Sequence, residues 1–80
     1  MHYVYVLQSL VEPEEFYTGL CCDLRSRLDD HNSGKSKHTA KRRPWRLVCY
    51  HAFQDGEKAA AFERYLKTGS GRAFSIRYFR

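Results

Sequence analysis

Long apolar runs, paired cysteines and zinc-ligand spacing are all missing from this chain of 80 residues. No uninterrupted hydrophobic stretch approaches the roughly 20 residues that cross a bilayer, so no membrane partner is expected. Residues Met1 to Leu10 lack a basic n-region and a small-residue cleavage site, so no secretory signal is expected either. Cysteine is scarce and odd in number. Cys21 and Cys22 are adjacent and Cys49 stands alone, which is not the framework of a small secreted domain. This usage points to a reducing cytoplasm and to no disulfide-linked partner. No C-x-x-C occurs, and His2, His31, His38 and His51 lack the paired spacing of a structural zinc site. Proline is rare as well, with two, and 15% of the residues are aromatic, which excludes extended disorder. A chain this short forms one domain, residues 1–80, and buries about 60% of the surface its unfolded form exposes.

Acids are outnumbered 9 to 14 by lysine and arginine, and the excess is local. Lys35, Lys37, Lys41, Arg42, Arg43 and Arg46 fall within twelve residues that hold no acid. The rest of the chain is close to neutral. A basic run of this kind suits a polyanion, because neutralising phosphates releases counterions. It also suits a merely solvated loop. Pro44 and Trp45 inside the run favour something more specific, since an indole there can pack the loop down or stack on a base.

Tyr3 to Gln8 is apolar at nearly every position, as expected of a strand covered on both faces. Ser9 to Glu15, with Pro13 and three acids, reads as a loop, and Phe16 to Leu20 as a second strand closing a hairpin. Asp23 suits the N-cap of a helix from Leu24 to Asn32, ended by Ser33-Gly34. Its apolar stripe is thin. Leu24 and Leu28 share it with Arg27 and His31, which places a cation and an imidazole beside the inward face. Leu47 to Phe53 reads as a third strand. Asp55 caps a second helix, Gly56 to Thr68, with Ala59, Phe62 and Leu66 inward and Gly69-Ser70-Gly71 as its stop. In the last segment, residues 72–80, Ala73, Ile76 and Arg80 fit a helix, although Phe74, Ile76 and Tyr78 alternate like a strand. The expected order is β-β-α-β-α-α, an α+β domain with a small sheet.

Glu63 sits at the edge of the second helix's stripe, four residues before Lys67, in the orientation that favours an ion pair. Arg27 and Glu63 can therefore be read as pairing partners within the fold. They can also be read as lining a cleft, Glu63 holding a divalent cation and Arg27 a phosphate.

Tyr3-Val4-Tyr5 followed by Tyr17-Thr18-Gly19 resembles the paired tripeptides of the GIY-YIG nucleases. The resemblance continues through residues 24–28, His31-Asn32-Ser33-Gly34, His38-Thr39, residues 41–45, residues 61–67 and Gly71-Arg72-Ala73-Phe74. It covers nearly the whole chain and is closest to the small single-domain members. One tripeptide would mean little, whereas ordered blocks with fitting gaps are specific.

The resemblance implies a three-stranded antiparallel sheet flanked by helices, and cleavage of a DNA phosphodiester with one divalent metal, Mg²⁺ or Mn²⁺. It implies Tyr5 and Tyr17 as the cleft tyrosines, Arg27 as the essential arginine and His31 as its helix neighbour. Glu63 would be the metal ligand, and Gly19 would keep backbone clear of the cleft. Arg27 and the metal are expected to draw the tyrosine pKa down. DNA contacts are expected from Lys35, Lys37, His38, Lys41, Arg42, Arg43, Trp45 and Arg46, with branched or damaged DNA, in repair or recombination, as the candidate substrate. Two departures stand out. Tyr3 replaces the first glycine of the family name, and the asparagine that many members carry after the glutamate is absent, Asn32 being the only one. The competing readings are a non-cleaving nucleic-acid-binding module and a domain that presents its basic face to acidic proteins.

Overall fold

Val4, Tyr5, Val6 and Leu7 are all buried, which a strand achieves only when both of its faces are covered. They belong to β1 (His2–Ser9), the middle strand of an antiparallel sheet ordered β2-β1-β3, with β2 at Phe16–Cys21 and β3 at Trp45–Phe53. The computed structural model describes residues 1–80. Helix α1 (Leu24–Ser33) follows β2, a 3-10 turn (Ala40–Arg42) precedes β3, and α2 (Gly56–Leu66) and α3 (Gly69–Tyr78) close the chain. The expected order and fold class are those observed. No helix is long and apolar enough to cross a membrane.

Each face of the sheet carries its own small core. On one face Tyr5, Leu7 and Trp45 pack with Tyr17, Cys21, Leu24, Leu28 and Leu47, under α1. On the other, Val4 packs with Ala59 and Leu66, ringed by Phe53, Phe62, Phe74 and Phe79, under α2 and α3. The caps follow the sequence. The Asp23 carboxylate accepts from Ser26 N–H at the start of α1, Gly34 ends that helix at φ 86°, and Asp55 accepts from the amides of Glu57 and Lys58.

Three expectations are corrected. β3 starts at Trp45 rather than Leu47, because Ser9 and Gln8 pair with Trp45 and Arg46. The ladder slips between Val6 and Leu7, leaving Val48 as a bulge, and the slip turns Trp45 and Leu47 to the same side as Tyr5 and Leu7. Second, α2 ends at Leu66, and Gly69-Ser70-Gly71 form the first turn of α3. Thr68 caps that turn, its hydroxyl oxygen accepting from Gly71 N–H at 3.1 Å. Third, α3 turns Phe74, Ser75 and Phe79 inward and leaves Ile76 exposed, because its contact with α2 runs through Gly71.

A side chain at position 71 would overlap the Tyr65 carbonyl at the end of α2. Gly71→Ala is expected to destabilise the fold by about 3 kcal/mol, at the upper end of the usual overpacking range. Urea denaturation followed by circular dichroism measures this.

Candidate active site

Tyr5 stands opposite Gly19 in the β1–β2 ladder. A Cβ on residue 19 would overlap the hydroxyl end of the Tyr5 phenol, so glycine is what lets the phenol lie across β2. The ring reaches α1. There the Tyr5 hydroxyl is 2.9 Å from Nε2 of His31, a residue with no exposed surface. His31 Nδ1 is 2.7 Å from Oγ1 of Thr39, itself buried. The Thr39 hydroxyl donates to the Ser36 carbonyl at 3.4 Å, leaving its oxygen to accept from His31 Nδ1–H. Nε2 then accepts from the Tyr5 hydroxyl, and the chain of donors runs Tyr5 to His31 to Thr39. Trp45 locks the far end by donating its indole N–H to the Thr39 carbonyl at 2.9 Å.

Arg27 lies one turn before His31 on α1, pairs with Asp30 at 3.7 Å and keeps about a third of its side chain exposed. Its polar contact with the Tyr5 hydroxyl raises its own pKa. Burial pushes Tyr5 up from 10.0 to about 12, and the opposing pull of Arg27 does not overcome it. The expectation that Arg27 draws the phenol down is therefore reversed at Tyr5, which stays a neutral donor. Burial, then the Arg27 charge, lowers the His31 pKa and keeps that imidazole neutral.

Tyr17 occupies the open side of this group. Its ring lies 5.0 Å from His31, 6.3 Å from Tyr5 and 6.4 Å from Trp45, and it is only half-buried. Because β2 is an edge strand, side chains from the opposite face can reach round to it. Lys67, just past α2, does so, with Nζ 5.9 Å from the centre of the Tyr17 ring. Lys67 is also ion-paired with Glu63 at 2.5 Å. Glu63 thus comes from the helix on the other face and meets Tyr17 through Lys67.

The Glu63 carboxylate is mostly buried, at 16% exposure, and already holds one cation, the Lys67 ammonium. No three His, Cys, Asp or Glu side chains gather into a ligand cluster. A lone carboxylate suits Mg²⁺, which often takes one or two protein carboxylates and completes its shell with waters and phosphate oxygens. Lys67 is half-exposed and free to swing aside, so the donor set fits a single hydrated divalent cation.

The basic segment is divided. Arg42 reaches across to Glu12 at 2.7 Å and Glu15 at 3.3 Å, tying the β1–β2 loop to the 3-10 turn. Arg43 lies over Gly34 at the end of α1 and donates to the Ala40 carbonyl, Arg46 donates to Gln8, and Lys35 pairs with Asp30 at 3.9 Å. Lys37, His38 and Lys41 are exposed and outside these contacts. Trp45 is corrected outright. At 5% exposure it has no face to offer a base, because the slipped β3 ladder turns it into the core. Two residues that anchor the site went unassigned in the sequence. Thr39 had no signal beyond its place beside His38, and Asn32 grips both backbone groups of Trp45, accepting from its N–H at 2.6 Å and donating to its carbonyl at 3.1 Å.

This arrangement is that of a nuclease-type domain, and the chain belongs to the GIY-YIG family, whose catalytic-domain model matches residues 1–76. It is 36% identical over 95% of its length to a UPF0213 protein of Streptococcus pyogenes serotype M3, of which it covers 82%. It is 40% identical over 89% of its length to a UPF0213 protein of Halalkalibacterium halodurans, covering 74% of that chain. The solution NMR structure of the UPF0213 protein from Bacillus halodurans superposes with a TM-score of 0.57 at 34% identity, over 95% of this chain and 82% of the other.

Thr39→Val removes the partner of His31 Nδ1 and is expected to destabilise the protein by about 1–3 kcal/mol, the cost of an unpaired buried donor; equilibrium unfolding reads it directly. The Tyr5 proton is held more tightly in the folded protein than in the unfolded chain, so its contribution is complete below pH 10.0 and lost as pH rises toward about 12. Stability measured across that window is expected to fall by about 2–3 kcal/mol more in the wild type than in Tyr5→Phe.

Proposed function

We propose that this protein is a DNA endonuclease that hydrolyses a phosphodiester with one divalent cation, Mg²⁺ or Mn²⁺, in DNA repair or recombination in the cytoplasm. The observation that carries the reading is the position of Tyr17. It stands at the mouth of a cleft, with the neutral Tyr5–His31 pair behind it and the Glu63–Lys67 pair in front.

In this mechanism Glu63 would hold the cation in place of Lys67, and a cation held there would supply charge stabilisation at the leaving oxygen. Arg27 binds the non-bridging phosphate oxygens as negative charge builds on them, a task that suits a planar, permanently charged fork of donors. Tyr17 orients the attacking water in line with the scissile bond. Tyr5 never ionises. It fixes His31 and keeps a neutral wall behind Tyr17, so that Arg27 has no competing anion on that side. Lys37, His38 and Lys41, with whatever share Lys35, Arg42, Arg43 and Arg46 can be freed to give, meet the DNA backbone beyond the site.

Plasmid and branched DNA incubated with Mg²⁺ or Mn²⁺ test this. Wild-type protein is expected to nick, and Glu63→Gln, Arg27→Ala and Tyr17→Phe to lower the single-turnover rate by at least about 100-fold with DNA affinity kept. Salt-sensitive binding without cleavage of any substrate would instead favour the non-cleaving module.

A further inference from the structure

A cleft of about 450 Å³ lies beside β2, with Phe16, Tyr17, Lys67, Arg72 and Arg80 in its lining. Tyr17 and Phe16 both line it, and the Arg80 guanidinium lies 4.2 Å from the centre of the Phe16 ring. Arg72 and Arg80 project from α3 and the residues after it toward the same space, and no carboxylate is within ion-pair distance of either. Two carboxylates share the lining: Glu15 is held by Arg42, and Glu14 is exposed and paired with no cation. Burial, and then the charge of Arg72, lowers the Arg80 pKa. Arg72 and Arg80 thus stand near each other with no Asp or Glu paired to either.

We infer that Arg72 and Arg80 form a phosphate-binding subsite that holds the nucleic-acid backbone on the strand next to the scissile phosphate. Arg80 lies over the Phe16 ring and lines the cleft, and a planar guanidinium can meet a backbone phosphate with two parallel hydrogen bonds. The cleft is roomier than one phosphate requires and Tyr17 is part of its lining, so a strand held there lies beside Tyr17. The inference rests on reading nucleic acid as the substrate of the neighbouring site, but it assigns that substrate a contact surface outside the basic run.

The test is binding of fluorescein-labelled duplex and branched DNA in EDTA, across a salt series, so that no cleavage enters the readout. Each phosphate contact adds about 0.9 to the slope of log affinity against log salt. The double variant Arg72→Gln/Arg80→Gln is expected to flatten that slope by about 2 and weaken binding at least tenfold at moderate salt. The Arg72→Lys/Arg80→Lys variant, which keeps both charges, is expected to retain most of the slope. Circular dichroism and urea midpoints confirm that each variant is folded. Arg77→Gln removes one charge from α3 at a site stacked on Tyr78 instead, and is expected to leave the slope unchanged. An equal loss in Arg77→Gln, or no change in the double glutamine variant, would overturn the subsite, as would a wild type that binds no DNA at low salt. Wild-type cleavage in Mg²⁺ with an unmoved slope would sink the subsite alone. A moved slope without cleavage would support the subsite and remove the nuclease reading.

Discussion

Everything at the site hangs on a neutral phenol buried in the middle of the central strand. Tyr5 is 1% exposed, and its hydroxyl meets the imidazole of His31 and the guanidinium of Arg27. An unpaired hydroxyl there would cost more than the net worth of most hydrogen bonds, so strand and helix are held in one relative position by their polar atoms as well as by packing. Thr39 and Trp45 extend the constraint to the segment that precedes β3. Gly19 is its steric counterpart, since the phenol can cross β2 only where no side chain stands.

The two tyrosines are chemically unequal as a result. Tyr5 is enclosed, and burial outweighs the nearby guanidinium, so it keeps its proton at any physiological pH. Tyr17 lies on an edge strand and opens on the cleft. An edge strand is ordinarily a hazard, because its free backbone groups invite another chain. Here the edge is lined with charged side chains, Lys67, Arg72 and Arg80 beside Glu14 and Glu15, which discourage strand addition. That edge is also where the sheet's two faces meet, which allows a carboxylate from α2 to approach Tyr17 through Lys67.

Charge in the basic run is used partly for architecture. Arg42 ties the hairpin loop through Glu12 and Glu15, and Arg43 covers the last turn of α1, where a cation complements the helix dipole. These are part-exposed contacts weakened by solvent and salt, so a polyanion can compete for them. The segment's net charge therefore overstates the number of cations standing free.

Local chemistry settled a good deal on its own. Asp23 and Asp55 as caps, Gly34 as a left-handed stop, the doubly apolar Tyr3–Gln8 strand, the i,i+4 spacing of Glu63 and Lys67 and the element order were all legible in the linear chain, because capping, turns and side-chain period depend on near neighbours. The paired tripeptides and the later motif blocks pointed to the family for the same reason. What tertiary structure decided was pairing and depth. The slip at Val48 sends Trp45 inward, contact with α2 turns a glycine stop into the first turn of α3, and enclosure raises the Tyr5 pKa against the pull of Arg27. Glu63 arrives from the opposite face only because β2 is the sheet's edge. Register, burial and electrostatic environment are set by residues tens of positions apart, and no period along the chain encodes them.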